Sequence, residues 1–393
     1  MAQSFPTTAD LRVAARKRLP HFAFEFSDGG AGGADSNIKR NWASLDGVEL
    51  IPRYGVVGFP PTCETVLLGR SYAAPIGIAP MGIPSLAFPG ADQAIAEAAQ
   101  SARVPYVLGL LAGITIEHAA KLAPDVLWFQ LYRCYRDNHR IGMDLLHRAE
   151  ASGAHALMLT MDTPVRTVRP REVKSGITGS FGLTLKLMLA TLLSPRWLYA
   201  LRIHGMPRFA NLERYLGVGA DMEKMVRFAA EETGGAFSWE EVARYRDKWK
   251  RRLVLKGLLH PEDVEKAVSL GVDGVVVSNH GGRQIEALPA SIDVLPALVE
   301  QANARTSIML DSGIRSGVDA ARAIALGADG VLAGKSVLWS LGALGTRGPA
   351  HVVDTFISEL SATLGQLGCA QVQELRTVGV RHPTAYGTQH FMR

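Results

Sequence analysis

His280 lies in Ser278-Asn-His-Gly-Gly-Arg-Gln284, a stretch dense in groups that can do chemistry. An imidazole titrates near neutrality, and a carboxylate beside it stabilises the imidazolium formed when it takes a proton. Asp162 could be that carboxylate, if the fold brings the two together. Arg283 offers a planar fork for a substrate carboxylate. Tyr132 and Lys256 add a phenol and an ammonium. Together these groups suit removal of a proton from a small carboxylic acid. A second set, Asp311-Ser-Gly-Ile-Arg-Ser-Gly317 and Gly334-Lys-Ser336, combines glycines that permit close approach with the charges of Arg315 and Lys335. Such loops bind phosphate through backbone N–H groups and helix N-termini.

What positions these residues is a series of short apolar runs at 76–80, 106–109, 127–132, 156–162, 253–256, 274–278, 307–311 and 330–334. Near-continuous apolarity marks strands buried on both faces, as in parallel sheets. Between them lie alanine- and leucine-rich helical patterns such as 91–99 and 261–268. Strands alternating with helices predict a (β/α)8 TIM barrel of the α/β class, in which the active site forms where the strands end. The reactive residues fall at those ends. Gln130 and Tyr132 close the third run, Thr160 and Asp162 the fourth, Lys256 the fifth, and Ser278 the sixth, with Asn279 and His280 beyond. Asp311 closes the seventh, and Gly334 with Lys335 the eighth.

One domain over 1–393 is expected, with an N-terminal cap at 1–65, the barrel at 75–375 and an insertion or lid at 170–245, because the fourth interval is too long for one helix. Within that insertion, 181–202 is apolar but carries Lys186, Pro195 and Arg196. A membrane-spanning helix needs about 20 apolar residues. A lid or packing helix is the preferred reading, and peripheral contact with an anionic membrane surface the competing one. Asp28-Gly-Gly-Ala-Gly-Gly33 resembles a nucleotide loop, but no strand leads into it, and a flexible turn is expected.

Three scattered cysteines, Cys63, Cys134 and Cys369, form no zinc spacing and no disulfide framework, which fits a reducing, cytoplasmic setting. The N-terminus lacks the apolar core of a signal peptide. The formal charge of +5 suits a pocket for anions, and no nucleic-acid motif accompanies it. The basic run 248–252 reads as a solvated helix end.

Ser278 to Gln284 closely resembles the signature of the FMN-dependent 2-hydroxy-acid oxidases and dehydrogenases, which include glycolate oxidase, flavin-type lactate dehydrogenases and (S)-mandelate dehydrogenase. The likeness continues through Trp128-Phe-Gln-Leu-Tyr132, Leu159-Thr-Met-Asp-Thr-Pro164, Val254-Leu-Lys-Gly257 and both phosphate loops. It implies oxidation of an (S)-2-hydroxy acid to the 2-oxo acid, with electrons passing to FMN and then to oxygen, a quinone or another acceptor. It further implies a homotetramer. By the resemblance His280 is the base, Asp162 its partner, Arg283 and Arg169 the carboxylate ligands, and Tyr132 a hydrogen-bond donor to the substrate oxygen. Lys256 would stand at the pyrimidine edge of the flavin. Pro80, Met81, Gly82, Gly109, Gln130, Thr160 and Ser278 would line the ring and ribityl chain, while Asp311, Ser312, Gly313, Ile314, Arg315, Gly334 and Lys335 hold the remainder and its phosphate.

Departures from the pattern bear on the substrate. The family usually has a tyrosine six residues past the proline of Leu-Pro, and here that position is Phe26. Leu111 stands where glycolate oxidase has tryptophan, which suggests an aliphatic pocket wall. Lys335 replaces the usual arginine, and Gly82 is the residue type of several dehydrogenases. Two other readings are an FMN- or phosphate-binding barrel of another chemistry, such as an isomerase, and a flavin-binding protein without turnover.

Overall fold

The computed structural model describes residues 5–55, 60–165, 167–176, 191–216 and 222–391. Residues 181–190 of the apolar stretch 181–202 therefore lie outside the described residues.

All eight apolar runs become barrel strands: β1 Ile76–Ile78, β2 Tyr106–Gly109, β3 Leu127–Leu131, β4 Ala156–Thr160, β5 Arg252–Leu258, β6 Gly274–Val277, β7 Ser307–Leu310 and β8 Gly330–Ala333. They close in the order β7-β8-β1-β2-β3-β4-β5-β6, every pair parallel. Most strands stop one or two residues before the polar end of the run, because there the backbone leaves the ladder and turns its side chains toward the mouth. The core is filled by strand residues such as Trp128, Phe129, Leu157, Leu253 and Val275, all fully buried. The Trp128 indole, enclosed in that core, donates to the Tyr72 hydroxyl at 2.9 Å, so its polar atom is satisfied.

A hairpin of Thr65–Leu67 and Arg70–Tyr72 closes the opposite end of the barrel. Its Leu68 lies so near Gly274, the first residue of β6, that a Cβ there would come within 3.2 Å of it. Burial of those leucines stabilises the closed floor without occupying the mouth.

Three N-terminal helices, Thr8–Arg18, His21–Asp28 and Ser36–Asp46, cover the side of the mouth near β7 and β8. Thr7 caps the first of them in a reciprocal box with Asp10. Gly342, in the helix Lys335–Leu344, has no room for a Cβ, since Ala15 would stand 2.7 Å away. The long fourth interval supplies described helices at Pro170–Ser175, Pro195–His204, Glu213–Leu216, Met222–Glu232 and Trp239–Lys248. Ser238 caps the last of these, which buries Val242 and Tyr245 against the barrel just before β5. Lys248, Lys250, Arg251 and Arg252 are exposed, as a solvated helix end requires. Among the described residues no helix is long and apolar enough to cross a membrane.

The glycine-rich segment after Asp28 is not a flexible turn. Asp28, Gly29, Gly30 and Ala31 are buried, and Ala31 N–H donates to the Gly282 carbonyl at 2.9 Å. Asp28 is gripped by Arg12 at 2.6 and 2.9 Å and by Arg171 at 2.8 Å. Arg171 also binds Asp35 at 2.6 Å and Glu25, so one guanidinium ties the cap to the loop after β4. The sequence expectation erred because glycine permits close approach as readily as it permits freedom, and contacts distant in sequence decide which.

Candidate active site

The strand ends converge on a cavity of about 960 Å3. His280 stands at its floor with φ +59°, followed by Gly281 at +66° and Gly282 at +74°. A left-handed histidine costs about 1–2 kcal/mol, so neighbours must impose it. Ser278 Oγ accepts the His280 N–H at 3.0 Å, and the Asn279 side chain accepts the Gly282 N–H at 3.0 Å. Asn279 is buried and exchanges two hydrogen bonds with Asn41, at 2.7 and 3.0 Å. The sequence motif thus holds its shape partly through an asparagine of the N-terminal cap.

His280 Nδ1 lies 2.9 Å from Asp162 Oδ1. The other Asp162 oxygen is buried with no hydrogen-bond partner among the described residues, which leaves its charge free to act on neighbours. Burial pushes the Asp162 carboxyl up, but His280 and Lys256 outweigh it and hold the group below the usual carboxylate range. Burial lowers the His280 imidazole, with Lys256 and Arg169 adding to the effect and Asp162 opposing it. The pair is therefore a carboxylate beside a neutral imidazole that can accept a proton. Gly257 makes the approach possible, since at φ +107° a Cβ there would stand 2.4 Å from Asp162 Cγ. The same glycine marks the irregularity between β5 and β6.

Lys256 is buried and spans Asp311 at 3.0 Å and Ser278 Oγ at 2.8 Å. Burial opposes its charge, yet Asp311 and Asp162 raise its pKa above the ordinary lysine value. Beside it Gln130 donates to Thr160 at 2.8 Å and accepts the Leu110 N–H at 3.3 Å, forming a polar floor beneath β2, β3 and β4. Gly109 permits this arrangement, because a Cβ would meet the Met81 carbonyl at 2.6 Å. Pro80, Met81, Gly82, Leu111 and Phe26 line the same cavity. Burial raises the Tyr132 phenol, which therefore stays protonated, with Lys256, Asp162, Arg169 and Arg283 around it.

Arg283 is fixed on several sides. Its Nη1 donates to the Phe26 and Gly29 carbonyls at 2.9 and 3.2 Å, and its guanidinium carbon lies 5.4 Å from the centre of the Phe26 ring. Burial and the neighbouring Arg169 lower its pKa to about 10, against the pull of Glu172. Arg169 donates to the Arg283 carbonyl at 3.3 Å, so the two arginines form one cluster.

At the far side Ser312 and Gly313 adopt φ +76° and +102°, and Ser312 Oγ receives the N–H groups of Asn279 and Gly281. The two basic residues of these loops differ. Arg315 is engaged by Asp46 at 2.7 Å and Asp319 at 3.1 Å. Among the described residues Lys335 Nζ donates to two carbonyl oxygens, those of Asp28 at 3.0 Å and Gly29 at 2.7 Å. Burial, with Arg283 nearby, drives its pKa well below the ordinary lysine value. A half-buried ammonium with no carboxylate bound to it among the described residues, at the first turn of the helix Lys335–Leu344, suits a phosphate. The residues present therefore fit a phosphate-bearing cofactor.

Of the sequence-predicted site residues, Gly109, Gln130, Thr160, Asp162 and Ser278 stand behind the cavity wall, Asp162 reaching it through His280 and Ser278 through Lys256, and the others line it. Sequence reasoning missed Glu172, the Asp28–Gly29 carbonyl clasp, Asn41, and the helix Met222–Glu232, whose Val226 and Ala230 face the opening. Only Glu172 carried a usable signal, its i,i+3 spacing from Arg169.

Comparison with known proteins agrees with this geometry. The FMN-dependent dehydrogenase family profile matches residues 15–382. An L-lactate dehydrogenase of Chromohalobacter salexigens is 34% identical over 94% of this chain and 93% of its own. One of Caulobacter vibrioides is 34% identical over 94% and 96%. A crystal structure of the monotopic membrane protein (S)-mandelate dehydrogenase superposes with a TM-score of 0.89 at 30% identity, covering 96% of this chain and all of the other. Mandelate oxidase with (S)-4-hydroxymandelic acid gives 0.83 at 32%, covering 96% and 99%. With a closed (β/α)8 barrel, the matching profile over nearly its whole length and a cavity built for a phosphorylated cofactor, the chain belongs to the FMN-dependent dehydrogenases, oxidoreductases acting on CH–OH groups.

Proposed function

We propose that the chain oxidises an (S)-2-hydroxy acid with an apolar side chain to the 2-oxo acid. The observation that carries this reading is the His280–Asp162 pair at 2.9 Å, opening on the same cavity as Arg283 and Arg169. Arg283 and Arg169 receive the carboxylate, Tyr132 donates to the substrate oxygen, and neutral His280 takes a proton whose charge Asp162 then balances. FMN, when bound, would supply the acceptor for the two electrons and the second hydrogen. Lys256, Gln130, Thr160 and Ser278 would hold its ring, while Lys335, Gly334 and the 311–315 loop would hold its phosphate end. Phe26, Met81, Ile83, Leu111 and Val226 supply apolar wall, which favours a substrate larger than glycolate.

Peripheral contact with a membrane, which would put a quinone acceptor within reach, is the reading with support. The helix Pro195–His204 exposes Leu198, Tyr199 and Ile203 beside Arg196 and Arg202, a composition suited to an anionic interface. Co-sedimentation with anionic vesicles, lost when Tyr199 and Ile203 become serine, checks this.

The test of the reaction is an anaerobic titration of the FMN-loaded protein with both enantiomers of lactate, mandelate and longer aliphatic 2-hydroxy acids. Bleaching of the visible flavin band by the S forms is expected, strongest for apolar side chains. Bleaching by none of them would refute the reading.

A further inference from the structure

We propose that Glu172 sets the charge of the carboxylate clamp, so that the site selects monoanionic 2-hydroxy acids over dianionic ones; this rests on the reading of Arg283 and Arg169 as that clamp. Glu172 belongs to the helix Pro170–Ser175, directly after Arg169, and its side chain is 8% exposed. Its Oε1 lies 2.6 Å from Arg283 Nη2 and 3.4 Å from Arg169 Nη1. A carboxylate of the protein already sits where an incoming one must compete.

The charge balance follows from the neighbours. Two guanidiniums and one carboxylate leave this corner with a single positive charge. Lys256 is matched by Asp311, and Asp162, beside neutral His280, keeps its negative charge at the base end of the cavity, where it adds to the penalty on a second ligand charge. Lys335 stands near Arg283 but belongs to the phosphate end of the cavity. A monoanion therefore neutralises the corner, whereas a dianion leaves surplus negative charge in a buried place, which is costly. Glu172 acts on the ligand as a fixed charge, and such an interaction scales with the charge of the ligand. Removing it must help a dianion about twice as much, on a logarithmic scale, as a monoanion. A residue that merely positions Arg283 would shift both by the same factor.

The experiment uses FMN-loaded protein and reads dissociation constants from the perturbation of the bound-flavin spectrum, with pyruvate as monoanion and oxalate as dianion. For Glu172→Gln, which keeps shape and an acceptor oxygen, pyruvate tightens about tenfold and oxalate about a hundredfold. Glu172→Asp, which keeps the charge, retains the wild-type ratio between the two ligands. Arg169→Gln moves the corner the other way, weakening pyruvate about tenfold and oxalate about a hundredfold, and serves should Glu172→Gln fail to hold flavin. Equal factors for the two ligands, or no change, would overturn the proposal. If neither ligand perturbs the wild-type flavin while 2-hydroxy acids still bleach it, the clamp is wrong and the proposal falls, but the oxidation stands.

Discussion

Replacing Asp162 by asparagine isolates the part of the site that turns an imidazole into a useful base. The structure places Asp162 Oδ1 2.9 Å from His280 Nδ1, with the second oxygen buried and without a hydrogen-bond partner among the described residues. With charge centres about 4 Å apart and an effective dielectric near 20, the carboxylate stabilises an imidazolium by about 4 kcal/mol. Each factor of ten in rate corresponds to about 1.4 kcal/mol, so loss of that charge slows the proton-transfer step by about a thousandfold. An asparagine amide can also donate to Nδ1, which moves the imidazole proton to Nε2 and blocks the atom that must accept one. The rate of flavin bleaching in anaerobic stopped flow measures the step without product release. The pH profile gives a second reading. His280 is active when neutral, and burial lowers its pKa, so wild-type kcat/KM rises with pH on a limb below the ordinary histidine value of about 6.5. Asp162 opposes that lowering; without it the limb moves further to acid while the plateau falls. A variant that binds FMN fully and bleaches within tenfold of wild type would refute the assignment of Asp162 as the partner of the base.

Three further outcomes are expected. Lys335→Met weakens FMN by about 10- to 100-fold in a fluorescence titration, the loss of one charged hydrogen bond. The folded-state pKa of Lys335 is lowered, so the stability of flavin-free wild type falls as pH drops from the ordinary lysine value toward the depressed one, and thermal melts of the methionine variant lack this pH dependence. Arg171→Met strands Glu25 and Asp35 and leaves Asp28 to Arg12 alone, and denaturant unfolding should show a loss of about 3–5 kcal/mol. Phe26→Tyr restores a hydroxyl at the carboxylate end of the cavity and lowers KM for lactate about tenfold with kcat little changed, the size of a hydrogen bond to a charged group; an unchanged KM would mean that the ring under Arg283 does not face the substrate.

The barrel was legible in the sequence because parallel strands buried on both faces must be apolar along their length, and all eight runs became strands. The reactive positions were legible for a related reason. A polar residue ending an apolar strand points to the mouth, so Gln130, Thr160, Asp162, Lys256, Ser278, Asp311 and Lys335 could be named from their place in the chain alone. What the sequence left open was which charges meet. Arg315 and Lys335 look alike as loop cations, but among the described residues Asp46 and Asp319 engage the first while the second donates to the carbonyls of Asp28 and Gly29. Glu172 looks like a surface acid of a long insertion, and the fold buries it against Arg283, 111 residues away in sequence. Local pattern determines which face of an element is buried, because periodicity is local. Pairing of charges and closure of loops depend on contacts between distant segments, whose energies exist only once the barrel has brought them together.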